Sequence, residues 1–259
     1  MSAVLILLPP SEGKTTPRRG TTLDLAGLTF PELTDARTTV LDALVGLCEG
    51  DPANAATVLG LGPTQLAEVE RNSSLREAPA ARADRVYSGV LYEALGFDTL
   101  STTGKRRASS WVAIASSLFG LVRPGDRIPA YRLSGDTRLP GVGTVSTYWS
   151  KHLDSAAREA LGKGIALDLR STTYAAFWRP PRSLTDRVAS VRVLHEVGGI
   201  RKVVSHFNKA TKGRLVRQLL EEGSPAGSVQ ALVTQLRDLG WTVEPGPKPG
   251  VLDVVVAEI

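Results

Sequence analysis

The chain has 259 residues, of which 42% are hydrophobic and 22% charged, and 31 Lys and Arg against 26 Asp and Glu leave a net charge of +5. This length and balance suffice to bury a core and exclude a disordered or fibrous chain, while the mild basic excess suits an anionic partner without naming one. The lone Cys48 excludes an internal disulfide framework and a cysteine-rich zinc site, and the separated His152, His195 and His206 have no metal-binding spacing, so neither metal nor cofactor is expected.

In chain order, "AVLILLPP" is an apolar run stopped by two prolines, as a buried strand would be. No basic residue precedes it and no segment reaches about 18 apolar residues, so a cytoplasmic chain with no membrane span is expected. A polar loop, "PPSEGKTTPRRGTTLDLAG", follows. Residues 31–49 repeat apolar positions at helical spacing behind a proline, which puts Cys48 on a buried face. "PANAATVLGL" and "PTQLAEVERNSSL" are two short helices around a glycine turn. "RVYSGVLYEALG" begins with β-branched and aromatic residues and then turns helical. Trp111 to Val122 suits a buried helix or strand and is broken at Arg123-Pro124-Gly125. "IPAYRLSGDTRLPG" is extended with turn chemistry. "VSTYWSKHLDSAAREALGKG" reads as one helix ended by glycine, and "IALDLRSTTYAAFW" as a strand running into a loop or helix. "SVRVLHEVGGIRKVVSHFN" suits a hairpin about "VGGI", "KATKGRLVRQLLEEG" a basic helix and "SVQALVTQLRDLG" a further helix. "WTVEPGPKPGVLDVVVAEI" ends the chain in two strands. Strands and helices mix without strict alternation, which defines an α+β or mixed α/β class.

Five stretches carry candidate chemistry. Gly60-Leu61-Gly62-Pro63 fits the turn of a helix-hairpin-helix: its glycines permit positive φ, and its amides and the next helix N-terminus can hold a phosphate. A plain turn between helices is the alternative. No Lys or Arg lies between Leu59 and Glu70, so affinity would need cations elsewhere. In "PPSEGKT", Lys14 can hold a phosphate while Ser11 and Glu12 orient a substrate, although the loop lacks the Walker spacing and a solvated loop is the alternative. Arg123, Arg127, Arg132 and Arg138 recur around Tyr131; they can grip phosphate while the ring stacks on a base, or be neutralised by Asp126 and Asp136. Asp168 and Arg170 leave a strand ahead of Ser171 and Tyr174. Asp168 can be a general base or the buried partner of Arg170 or Arg132. His206, Lys209, Lys212, Arg214 and Arg217 gather in "SHFNKATKGRLVRQ", either as an anion site with His206 as a proton shuttle or as a solvated basic face beside a structural histidine.

"LLPPSEGKT", "YSGVLYEAL", "SSLFGLVRPGDRIPAYRLSGDTRL", "ALDLRSTTY" and "VVSHFNKATKGRLVRQLL", in this order, resemble the YaaA family of peroxide stress proteins, also called DUF328 or UPF0246, over essentially the whole chain. The resemblance implies a central β-sheet wrapped by helices in a single domain over residues 1–259, with a helix-hairpin-helix element at about 31–78 and a positively charged cleft. It also implies a bacterial protein that binds DNA and limits oxidative damage, and duplex or branched DNA is the partner expected here. On that reading Gly60, Gly62, Ser11, Arg123, Arg132, Arg170, Ser171, Lys209, Lys212 and Arg214 contact phosphate. The competing expectation is an enzyme acting on a nucleotide or nucleobase, for example by N-glycosidic hydrolysis. Asp168, Lys14, Tyr174 and His206 would then be its catalytic groups.

Overall fold

The computed structural model describes residues 4–202 and 205–257, and of residues 205–207 the backbone alone. The chain opens with β1 (Val4–Leu8) and continues through helices α1 (Thr34–Glu49), α2 (Pro52–Leu59) and α3 (Ala67–Ser73). Next come β2 (Ala81–Arg82), α4 (Ala83–Val86), α5 (Val90–Leu95), α6 (Thr102–Trp111), β3 (Val112–Ser116) and β4 (Gly120–Val122). The short pairs β2 with β5 (Arg127–Ile128) and β6 (Arg138–Leu139) with β7 (Gly143–Thr144) stand apart from the main sheet. Helices α7 (Val145–Trp149) and α8 (Asp154–Leu161) lead to β8 (Ile165–Asp168) and α9 (Thr172–Ala175). The rest is β9 (Val188–Val197), β10 (Ile200–Lys202), α10 (Ser205–Glu222), α11 (Val229–Asp238), β11 (Thr242–Pro245) and β12 (Val251–Ala257).

The main sheet has eight strands in the order β11-β12-β9-β8-β1-β3-β4, with β10 folded onto β9. β12, β9, β8, β1 and β3 run parallel, and β4 and β11 are antiparallel edges. Every residue of β1, β3 and β8 is buried, the signature of parallel strands covered on both faces. This is the mixed α/β class with a central sheet. Cys48 is buried on α1 as expected, and burial pushes its thiol pKa up. Among the described residues no helix is long and apolar enough to cross a membrane.

Where the pattern left helix or strand open for Trp111–Val122, the chain forms the β3–β4 hairpin. Gly120, at φ +73°, ends its turn where a Cβ would come within 2.6 Å of the Trp149 ring. The single helix expected around Tyr148 is two helices. Trp149 is buried and its indole donates to the Ser117 carbonyl at 2.7 Å, which fixes α7 against β3 and makes the chain turn before α8. The "VGGI" hairpin forms as expected, with Gly198 and Gly199 at φ +58° and +76° between paired Val197 and Ile200.

The segment expected as a helix-hairpin-helix is α2, a tight turn, one 3-10 turn (Pro63–Gln65) and α3. Its amides are engaged internally. Gly60 and Leu61 donate to the end of α2, Leu61 to Ala56 O at 2.9 Å, and the Gly62 N–H donates to Gln65 Oε1 at 3.1 Å. A helix-hairpin-helix with amides open to a phosphate is therefore not shown.

Candidate functional site at the sheet's switch point

The chain leaving β1 crosses to β3 on one side, and the chain leaving β8 crosses to β9 on the other. The loops after β1 and β8 therefore diverge, which is where open parallel sheets place their ligands. Three sets of polar residues meet there: Ser11–Lys14 after β1, Ser116–Ser117 at the end of β3, and Asp168–Tyr174 after β8.

Two prolines stop β1, and the loop then folds back on the segment before α5. The Ser11 hydroxyl donates to Gly13 O at 2.6 Å and accepts from the Ser88 N–H at 3.0 Å. Lys14 pairs with Tyr87 in an isolated bridge, and the Thr15 N–H donates to Val86 O at 2.8 Å. The Tyr92 hydroxyl holds the start of the loop by donating to Pro9 O at 2.7 Å. The result carries the Lys14 amine inward. Nζ lies 4.1 Å from the centre of the Tyr131 ring and donates to Ser11 O at 2.9 Å and Glu12 O at 3.4 Å. Burial above all, aided by Arg132 and Arg71 and opposed by Glu68 and Glu12, lowers its pKa from 10.5 to about 7.

Around the amine stand protonated phenols. Tyr131 lies 3.0 Å from the Tyr87 hydroxyl and 2.8 Å from Ser116 Oγ, and Tyr87 stacks on Tyr92 at 5.5 Å. Burial raises the pKa of Tyr131 and pushes those of Tyr87 and Tyr92 well up. Burial and the neighbouring Tyr131 bring Tyr174 to about 12, against hydrogen bonds with Gly135 and Ser117 that pull it down. Arg132 is presented by Asn72 of α3. The buried Asn72 amide donates to Arg132 O at 2.7 Å and accepts from the Arg132 N–H at 2.9 Å, leaving the guanidinium to reach Glu12 at 3.2 Å.

Asp168 takes the ion-pair alternative. Arg170 grips it through Nε at 2.9 Å and Nη2 at 2.7 Å, and also donates to Trp178 O at 2.8 Å and Tyr174 O at 3.2 Å. Lys212 reaches in from α10 to donate to Leu169 O at 3.1 Å, and burial lowers its pKa with Asp168 opposing. A cavity of ≈ 400 Å³ lies beside this pair, lined by Asp168, Thr172, Trp178, Arg179, Ser190 and Gly250.

The structure thus gathers Ser11, Lys14, Arg132 and Tyr174, with Asp168, Arg170 and Lys212 adjoining along the chain that leaves β8. Elsewhere, Arg123 donates to Ser110 O and Val112 O at the end of α6, and Gly60 and Gly62 lie in the hairpin turn. Ser171, Lys209 and Arg214 are exposed. The His206 side chain lies outside the described residues. Tyr131, read as a base-stacking ring, is only 1% exposed, so its face serves Lys14 instead. Sequence reading missed Tyr87, Ser116, Ser117 and Asn72. The one local signal was a hydroxyl pair closing a wholly apolar strand, "VAIASS".

These features define an open α/β-sheet protein with a polar site at the carboxyl ends of its parallel strands. The chain belongs to the YaaA peroxide stress protein family, whose profile, described as "Peroxide stress protein YaaA", matches residues 4–245. A UPF0246 protein of Streptomyces coelicolor is 47% identical, covering 99% of this chain and 100% of its own length. UPF0246 proteins of Corynebacterium efficiens and Corynebacterium glutamicum are 43% and 39% identical, covering 93% and 94% of this chain and 95% and 96% of theirs.

Proposed function

We propose that the chain acts on DNA in the peroxide stress response, taking one nucleotide unit at the switch point where Lys14, Arg132 and Tyr174 meet. The observation that supports this most is the Lys14 amine, half-buried among phenols and beside a guanidinium. An amine so placed is suited to an anionic substrate and to proton or covalent chemistry near neutral pH. Asp168, clamped by Arg170, is assigned the role of shaping the loop after β8 rather than of general base. The hairpin amides are already engaged, so phosphate contact falls to cations, with Arg132 at the site and the exposed Arg138, Lys209 and Arg214 further out.

The test is a fluorescence anisotropy titration of duplex and branched DNA at about 50 and about 200 mM salt. Several phosphate contacts should weaken binding by at least about tenfold over that range. Absence of binding at both salt concentrations would defeat the reading.

A further inference from the structure

We propose that Lys14 is an amine nucleophile that forms an imine with an aldehyde borne on an anionic sugar, such as the ring-opened deoxyribose of a DNA site that has lost its base. The chemistry rests on the geometry around Nζ; the choice of a DNA aldehyde rests on the DNA reading above.

A neutral primary amine has two N–H donors and one lone pair. The Ser11 and Glu12 carbonyls offer acceptors for both donors. Nζ also lies 4.1 Å from the centre of the Tyr131 ring, and Lys14 as a whole residue keeps partial exposure. Among the described residues no carboxylate forms an ion pair with Lys14. The charged groups facing it, Glu12 from its own loop, Glu68 and Arg71 from α3, and Arg132 from the segment after β5, are two anions and two cations. Their effects oppose one another, so burial decides the protonation state, and the amine titrates near pH 7. A solvated lysine is neutral in only about one molecule in a thousand at pH 7.4, whereas this amine is neutral in most, a gain of several hundredfold in nucleophile.

In the step itself, the Nζ lone pair bonds to the aldehyde carbon and the carbonyl π pair moves to oxygen. The two amine protons pass to that oxygen, which leaves as water as the C=N bond forms. Hydrolysis reverses the step, and no oxidant or reductant is needed. Tyr131, whose hydroxyl is linked to Tyr87 and Ser116, presents its ring face to the amine, so the protons pass to the oxygen directly or through solvent. Arg132, 3.2 Å from the exposed Glu12, is placed to exchange that partner for a substrate phosphate.

The full-length protein is incubated with a duplex containing one abasic site, and separately with pyridoxal phosphate as a small anionic aldehyde. Sodium cyanoborohydride converts any imine to a stable secondary amine, and the adduct is mapped by peptide mass spectrometry. Adducts at Lys14 are expected with both aldehydes and should fall by about a hundredfold or more in Lys14→Arg, which keeps a long basic side chain but removes the amine nucleophile. Because a variant can lose its fold, the wild type is also labelled with trace acetic anhydride across pH, where the Lys14 rate should reach half its plateau near pH 7. Adducts at other lysines, adducts that persist in Lys14→Arg, or a labelling midpoint near 10 would overturn the proposal. Trapping of pyridoxal phosphate at Lys14 without any binding or trapping of DNA would keep the nucleophile and remove the DNA reading. DNA binding without trapping of either aldehyde would do the reverse.

Discussion

Replacing Lys14 with Met should reverse its effect on stability between acid and base. In the folded chain the amine titrates near 7, against 10.5 for the free group. Between these values the unfolded chain holds the proton and the folded chain does not, so stability rises with pH, at up to about 1.4 kcal/mol per unit. Below pH 7 both states hold the proton and the full cost of burying the ammonium is in place, about 5 kcal/mol as a ceiling; above 10.5 it is gone. Partial exposure of Lys14 and solvent screening reduce that ceiling to about 2 to 3 kcal/mol. Met fills a similar volume without charge but loses the donations to Ser11 O and Glu12 O, about 1 to 2 kcal/mol together. The variant should therefore be more stable than wild type by about 1 kcal/mol near pH 6 and less stable by about 1 to 2 kcal/mol near pH 10. Urea unfolding followed by tryptophan fluorescence at intervals across that range measures the difference, and shifts common to both proteins cancel. A difference that stays constant with pH would refute the buried, near-neutral amine and the reasoning built on it.

Two further outcomes test the framework around the site. Asp168→Asn leaves Arg170 buried without its counter-ion and should cost about 3 to 5 kcal/mol in urea unfolding, whereas a loss under about 1 kcal/mol would mean that the pair does not hold the loop after β8. Gly213→Ala puts a methyl 2.3 Å from Leu91 O and 2.8 Å from Ala94 Cβ, where α10 crosses α5. The helices must separate, at a cost of about 2 kcal/mol and a Tm lowered by roughly 4 to 8 °C; an unchanged Tm would show that this crossing is not tight.

Much of the fold was legible because its signals are local. β1 read as a strand from an unbroken apolar run and β8 from a short apolar run ending at Asp168, and the β9–β10 turn read from two adjacent glycines, both of which adopt positive φ. The segments left open or misread depended on distant partners. Whether Val112–Val122 formed helix or strand turned on pairing with β1, and the split between α7 and α8 turned on Trp149 seated beneath Ser117. At the site, Lys14 was visible as a lysine in a polar loop after a strand. Its chemistry was not, because the groups that set it lie at Glu68, Tyr87, Tyr131 and Arg132, all far away in sequence.

The same long-range contacts change what the basic charge means. Counted along the chain, the arginines suggest a broad anion-binding surface, yet many of them serve the fold. Arg107 donates to the last carbonyls of α10, Arg217 to those ending α5, Arg123 to those ending α6, and Arg187 to Gly162 and Gly164 beyond α8. Each satisfies helix-end acceptors that would otherwise need water or a glycine cap. Arg37 goes further: it is wholly buried and donates to Thr29 O, Phe119 O and Leu121 O, with burial lowering its pKa to about 10. The net charge of +5 therefore overstates the cation supply open to a ligand. What remains is concentrated. β1 is an inner strand with parallel neighbours on both sides, so its loop emerges between the ends of β3 and β8 and carries Lys14 toward Arg132 and the phenols. Strand order, rather than the count of basic residues, is what makes one lysine chemically distinct.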